Sequence, residues 1–233
     1  MSIYGLIIGV ATILGLELLR RKTNIKEYHL LLLPIFALIG ARTLFLLHNI
    51  EEIVRGEIKI FHIWNGGLAF WGALIGLLFG IYILSRKYKT PFLSLTDTSL
   101  LFLPLLQAIG RIGNYFNREL YGKPTDLPWA IEIPKEFRLE GYENFLTFHP
   151  LFLYEAVLNI FLFTLLLYIS KKSKMKGVVT TIYLIGYSLI RIWMNRIRID
   201  KEYFLGIETS DLFASIFLII GILLLVVIYK KHK

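Results

Sequence analysis

The sequence predicts an all-α, polytopic integral membrane protein with about seven transmembrane helices. Of its 233 residues, 56% are hydrophobic and only 18% are charged, and the mean hydropathy is +0.62. The apolar residues are gathered into continuous blocks with the charges between them, as in spanning helices rather than a single large soluble core. A membrane barrel would show weakly alternating segments of about ten residues instead.

The first apolar stretch, 2–19, ends at Arg20, Arg21 and Lys22. A secretory signal carries its positive charge ahead of the apolar run and a small-residue cleavage site behind it. This stretch has neither and is read as a first spanning helix with its N-terminus outside. Further spans are predicted at 30–47, 67–84, 95–110, 152–169, 178–194 and 211–229. The fourth is short and holds Pro104 and Gly110, with Gly113 just beyond, so it is expected to be kinked or incomplete.

Lys and Arg concentrate at 20–26, 86–89, 171–176 and 230–233 with few acids among them, whereas 51–59 mixes both signs. The positive-inside rule then places the N-terminus outside and the C-terminus in the cytoplasm. Residues 1–233 are expected to form a single membrane domain. Its long polar stretch, 111–150, becomes an outer-facing head segment between helices four and five. Gly122, Pro124, Pro128, Pro134 and Gly141 should make that segment loop with short irregular pieces.

The chain has no cysteine, which excludes disulfides, thiolate metal sites and a cysteine nucleophile of its own. Any thiol chemistry would bring its sulfur on the substrate. A net charge of +9 on a soluble protein would suggest nucleic acid. Here it is expected from basic cytoplasmic loops beside anionic lipid, so membrane lipids are the predicted partners and nucleic acid is not. No metal-ligand cluster or cofactor motif is found in the sequence, and neither is expected.

Charges inside apolar runs are costly unless they are paired or line a wet cavity, which makes each a functional candidate. Arg111 directly follows an apolar run, lies between Gly110 and Gly113, and would share a helix face with Asn114. If the helix continued, Tyr115 and Glu119 would share another face. A guanidinium beside an amide at the lipid boundary suits a phosphate head group, because it donates two parallel hydrogen bonds. An interfacial arginine snorkelling to water is the plainer alternative for Arg111 alone.

Tyr187, Arg191, Asn195 and Arg198 are spaced by four, four and three residues and form one stripe. Such a stripe must face a bundle interior or a cavity. A purely structural network would need carboxylate partners, and this helix offers none before Asp200. Asn65, Gly66 and Gly67 open the third helix, where glycine N–H groups can meet an anion. Gly72 and Gly76 permit close helix packing, and on glycine content alone packing is the safer reading.

These motifs together resemble the prolipoprotein diacylglyceryl transferase family over nearly the whole chain. The resemblance rests on Tyr4-Gly5, Gly40-Ala41-Arg42, Trp64-Asn65-Gly66-Gly67 and Gly110-Arg111-x-Gly113-Asn114. Asn117, Glu119 and Gly122 follow, then His149-Pro150-x-x-Leu153-Tyr154-Glu155 and Gly186-Tyr187-x-x-x-Arg191. It implies an enzyme of the bacterial cytoplasmic (inner) membrane with its active site on the outer side. The implied donor is phosphatidylglycerol, and the acceptor is the lipobox cysteine in the signal peptide of a pre-prolipoprotein. A thioether forms and glycerol phosphate leaves. Arg111, Arg191, Tyr187 and Asn114 match the family's signature residues and are the expected catalytic group, with Glu119 or Glu155 expected to support the arginines. Substrate binding is expected from Tyr4, Asn65, Gly66, Gly67, Glu119, Gly122, His149, Glu155, Asn195 and Arg198.

Two departures stand out. The N-terminal lead that many members carry is shorter here, and Trp71 occupies a position where the family usually has a histidine credited with taking the thiol proton. Tryptophan has no basic nitrogen. Besides an active transferase, the sequence therefore leaves open a catalytically impaired, lipid-binding relative. A secondary transporter ranks last, because no repeated halves are found.

Overall fold

The computed structural model describes residues 3–63, 66–204 and 206–231. Among the described residues, seven helices are long and apolar enough to cross a membrane. They are Ile3–Lys22, Glu27–His48, Phe70–Lys87, Phe92–Asn117, Leu151–Lys172, Val178–Asn195 and Thr209–Lys231. We label the elements α1 (Ile3–Lys22), α2 (Glu27–Leu30), α3 (Leu32–His48), α4 (Ile50–Val54), α5 (Phe70–Lys87) and α6 (Phe92–Asn117). Then come β1 (Ile131–Glu132), β2 (Thr147–Phe148), α7 (Leu151–Lys172), α8 (Val178–Asn195), β3 (Tyr203–Phe204), β4 (Ile207–Glu208) and α9 (Thr209–Lys231). The chain divides into two compact units, Leu16–Thr98 and Met1–Gly15 with Ser99–Lys233.

In the unit Leu16–Thr98, α3 and α5 touch backbone to backbone through glycines. A Cβ at Gly40 would collide with the carbonyl oxygen of Gly72, and one at Gly76 with that of Phe36. Lipid supplies no hydrophobic drive between helices, so close approach of small residues gives this pair its packing energy. Leu19, Ile25, Leu30, Leu33, Ile81, Leu84 and Leu95 form the apolar cluster of this unit. The expectation of glycine packing at Gly72 and Gly76 is met.

In the other unit, α6 and α7 run antiparallel. Phe102 meets Phe163 with ring centroids 6.3 Å apart, and further along Arg111 reaches Glu155. Gly186 of α8 lies against Leu162 of α7, and Gly221 of α9 against Ile185 of α8. Between α6 and α7 the chain forms a short antiparallel pair, Ile131↔Phe148 and Glu132↔Thr147, over a small cluster of Tyr121, Ile133 and Phe148. The Tyr121 hydroxyl donates to the Phe137 carbonyl at 2.7 Å and accepts from the Leu139 N–H at 2.8 Å.

Two local expectations are corrected. Helix α6 is neither short nor incomplete. It spans 26 residues with Pro104 inside it, seven residues beyond the predicted end at 110. The glycines do not break it, because α1 fills the space beside them: Ile8 packs at Gly110 and Tyr4 at Gly113. The stripe on α8 ends at Asn195 with the helix. Arg198 lies in the turn beyond, where it bridges to Gly122.

Candidate active site

The centre of the site is a buried carboxylate shared by two cations. Glu155, in the second turn of α7, has no solvent exposure. It accepts from Arg111 Nη2 at 2.8 Å through Oε1 and from Arg191 Nη1 at 3.4 Å through Oε2. The Tyr187 hydroxyl donates to Oε1 at 3.1 Å. Three helices thus converge on one residue. The triad carries two positive charges against one negative, a net of +1 in a setting where charge is not held without a partner. That surplus suits a singly charged phosphodiester.

Arg111 also donates to Asn114 Oδ1 at 2.8 Å, as the shared helix face predicts. Asn114 Nδ2 and Asn117 Nδ2 donate in turn to the two oxygens of Glu119, at 3.2 and 3.0 Å. Glu119 is not on the helix. A Schellman motif ends α6: Arg118 N–H bonds Tyr115 C=O and Glu119 N–H bonds Asn114 C=O. Arg118 takes the left-handed conformation there, with φ +57°. The turn brings Glu119 back over Asn114 rather than beside Tyr115. Tyr4 stands at Gly113, where a Cβ would lie 2.6 Å from its Cδ2.

Arg191 is fixed on its other side by Ser210, which accepts from Nε at 3.3 Å and Nη2 at 3.0 Å. Asn195 is buried and donates to Glu208 and Asp211, each at 2.9 Å. Arg198 forms a two-pronged pair with Asp200 at 2.7 and 2.9 Å. Burial opposes its charge, but the Asp200 bonds more than compensate and hold its pKa above the usual value. Gly122 N–H donates to the His149 carbonyl at 2.8 Å, and a Cβ at Gly122 would press on Leu151 and Ile197. His149 Nδ1 lies 3.1 Å from the Tyr154 hydroxyl, which accepts from Trp129 Nε1 at 2.7 Å. Desolvation lowers the His149 pKa, favouring a neutral imidazole.

Arg111, Asn114, Glu119, Glu155, Tyr187 and Arg191 therefore form one connected network. Asn195, Arg198, Gly122 and His149 make their own contacts around it. Gly66 and Gly67 belong to the Leu16–Thr98 unit, where their carbonyls accept from Arg42 Nη1 at 3.2 and 3.0 Å. The Gly66 N–H is bonded to the Ile63 carbonyl. Trp71 in the same unit is buried, its ring edge-on to Phe70 at 5.3 Å. Asn65 lies outside the described residues.

Sequence reasoning did not find Ser210, Glu208 or Asp211. The signal available was Thr209-Ser210-Asp211 at the start of an apolar run, which reads as a helix N-terminus but does not reveal the arginine that Ser210 meets.

The family model for prolipoprotein diacylglyceryl transferase matches residues 1–227. The chain is 36% identical to a phosphatidylglycerol–prolipoprotein diacylglyceryl transferase of Synechococcus elongatus, over 99% of this chain and 84% of that protein. It is 38% identical to a transferase of the same name from Thermotoga maritima, over 85% and 69%. A third, from Finegoldia magna, is 34% identical over 98% and 91%. Identity at this level along nearly the full length, on a seven-span helical chain, means that the protein belongs to the prolipoprotein diacylglyceryl transferase family.

Proposed function

We propose that this chain transfers the diacylglyceryl group of phosphatidylglycerol to the lipobox cysteine in the signal peptide of a pre-prolipoprotein. The cysteine sulfur forms a C–S bond to the diacylglyceryl carbon. The C–O bond from that carbon to phosphate breaks, and glycerol phosphate leaves with the electron pair. The thiol proton passes to water or to the departing phosphate. The observation that carries this reading is the buried Arg111–Glu155–Arg191 group with its net positive charge. Fixed cations aimed at a leaving phosphate stabilise the charge that develops there, an effect worth on the order of a hundredfold or more in rate for one good donor. Arg111 and Arg191 hold the phosphate, Asn114 and Tyr187 orient the glycerol, and Glu155 positions both arginines.

A free thiol has a pKa near 8.5, and neighbouring cations lower it. Transfer can therefore proceed without a histidine at position 71, at reduced rate. The basic last turns of α1, α5, α7 and α9 support an N-terminus outside and a C-terminus in the cytoplasm. In that orientation 111–150 is an outer-facing head, and the site faces the outer side of the cytoplasmic membrane. The second reading, a lipid-binding relative without turnover, is favoured only by Trp71.

A mass-shift assay with purified protein, phosphatidylglycerol vesicles and a lipobox peptide tests both. A diacylglyceryl adduct in wild type that is lost in Arg111→Ala is the expected result. No adduct in wild type, restored by Trp71→His, would leave an impaired transferase. No adduct in either, beside an active relative, would favour lipid binding alone.

A further inference from the structure

One helical turn from the phosphate-binding group lies a second polar tier, and the proposed chemistry does not use it. Gln107 precedes Arg111 on α6 by four residues, Asn159 follows Glu155 on α7 by four, and Tyr183 precedes Tyr187 on α8 by four. Helix α6 is antiparallel to α7, and α8 returns along α7 after a short turn. All three residues are therefore displaced in the same direction from their partners, by about 6 Å along the helices. That direction leads from the head toward the membrane interior.

Asn159 and Tyr183 have no solvent exposure. Both amide atoms of Gln107, both of Asn159 and the Tyr183 hydroxyl are buried. Gln107 is a hydrogen-bonding neighbour of the Tyr183 hydroxyl, whereas both amide atoms of Asn159 are without a partner among the described residues. The Tyr183 ring stacks on that of Tyr187, with centroids 5.7 Å apart and planes 5° from parallel. An unpaired polar group costs several kcal/mol in hydrocarbon, so the unpartnered Asn159 amide, at the level of the Gln107–Tyr183 pair one turn from the arginines, calls for a ligand with matching polar atoms.

We infer that Gln107, Asn159 and Tyr183 form a subsite for the ester carbonyls of the diacylglyceryl group. This rests on the transferase reading above. In a glycerophospholipid the ester carbonyls lie deeper than the phosphate by a few bonds, comparable with one helical turn. They are acceptors, and the amide N–H groups of Gln107 and Asn159 and the Tyr183 O–H are donors. A phosphate on Arg111 and Arg191 would place its esters against them. The subsite would distinguish a diester donor from a molecule of similar shape that lacks the carbonyls.

The test uses full-length protein and a lipobox peptide, with phosphatidylglycerol supplied either as the diester or as its diether analogue. Leaving buried donors unpaired should disfavour the diether by roughly tenfold in kcat/KM for wild type. Asn159→Leu and Tyr183→Phe should bring that ratio close to one, mainly by losing diester turnover. Because the ratio is taken within each variant, a misfolded fraction cancels. Equal use of the two donors by wild type, or variants that lose both in proportion, would overturn the subsite and leave the transferase reading standing. No adduct from either donor would overturn both.

Discussion

Arg111 Nη2 donates to Glu155 Oε1 at 2.8 Å across 44 residues of sequence, and that bond ties the end of α6 to the start of α7. With Arg191 on its second oxygen, Glu155 is the common counter-ion of the site. Removing it leaves the buried Arg191 and the half-buried Arg111 without their shared carboxylate.

Glu155→Ala is therefore expected to destabilise the protein by about 3–5 kcal/mol, the usual consequence of breaking a buried ion pair on one side. Glu155→Gln keeps an acceptor oxygen but loses the charge, and should fall between wild type and alanine. Thermal melting in detergent orders the three. Equal melting of Glu155→Ala and wild type would show that the pair does not hold α6 to α7.

Arg111→Lys tests geometry at constant charge. The guanidinium reaches Asn114 and Glu155 with two different nitrogens, each at 2.8 Å. A lysine ammonium is a point donor and cannot reproduce that fork together with a phosphate contact. Activity is expected to fall by about a hundredfold, with melting little changed, because the positive charge beside Glu155 is retained. Near-wild-type turnover in Arg111→Lys would mean that charge alone suffices.

The spans were legible because hydrocarbon imposes a simple demand: about twenty apolar residues in a row with basic flanks. Arg111 with Asn114 was legible because both lie on one helix, three residues apart. The counter-ion was legible only as a choice between Glu119 and Glu155, and it is Glu155 that meets both arginines. A stripe of Tyr187, Arg191 and Asn195 lacks a carboxylate on its own helix, and its partners Glu155, Glu208 and Asp211 come from elsewhere. Spacing along one helix carries no information about which helix lies opposite. The length of α6 was missed for a related reason. Gly110 and Gly113 read as breakers in one dimension, whereas in three they are the places where Ile8 and Tyr4 pack.

His149 supplies a pH prediction. Desolvation lowers its pKa, and its Nδ1 faces the Tyr154 hydroxyl. The unfolded chain takes up this proton near pH 6.5, whereas the folded protein resists it to lower pH. Between those values the unfolded state holds more protons, so stability rises with pH there. The contribution is complete above about pH 6.5 and is lost as pH falls through the folded value. Glu143, held low by backbone N–H bonds, acts in a separate window below about pH 4.3. Melting temperature should therefore drop more steeply for wild type than for His149→Gln between about pH 7 and 5. Parallel curves would exclude His149 as the titrating group.

Arg118 carries the last prediction, through the turn that brings Glu119 back to Asn114. Its φ of +57° costs an ordinary residue roughly 1 kcal/mol or more, and glycine nothing. Arg118→Gly gives up the cation–π contact over Tyr115, 5.5 Å from guanidinium carbon to ring centroid, worth about 0.5–1 kcal/mol at an exposed site. The two effects oppose, so melting and activity should stay close to wild type. Arg118→Val loses the same contact and adds a β-branched side chain where left-handed backbone disfavours it most. That variant should shift the turn, release Glu119 from Asn114 and Asn117, and reduce activity several-fold more than glycine does. If valine and glycine behave alike, the Schellman turn is not what positions Glu119.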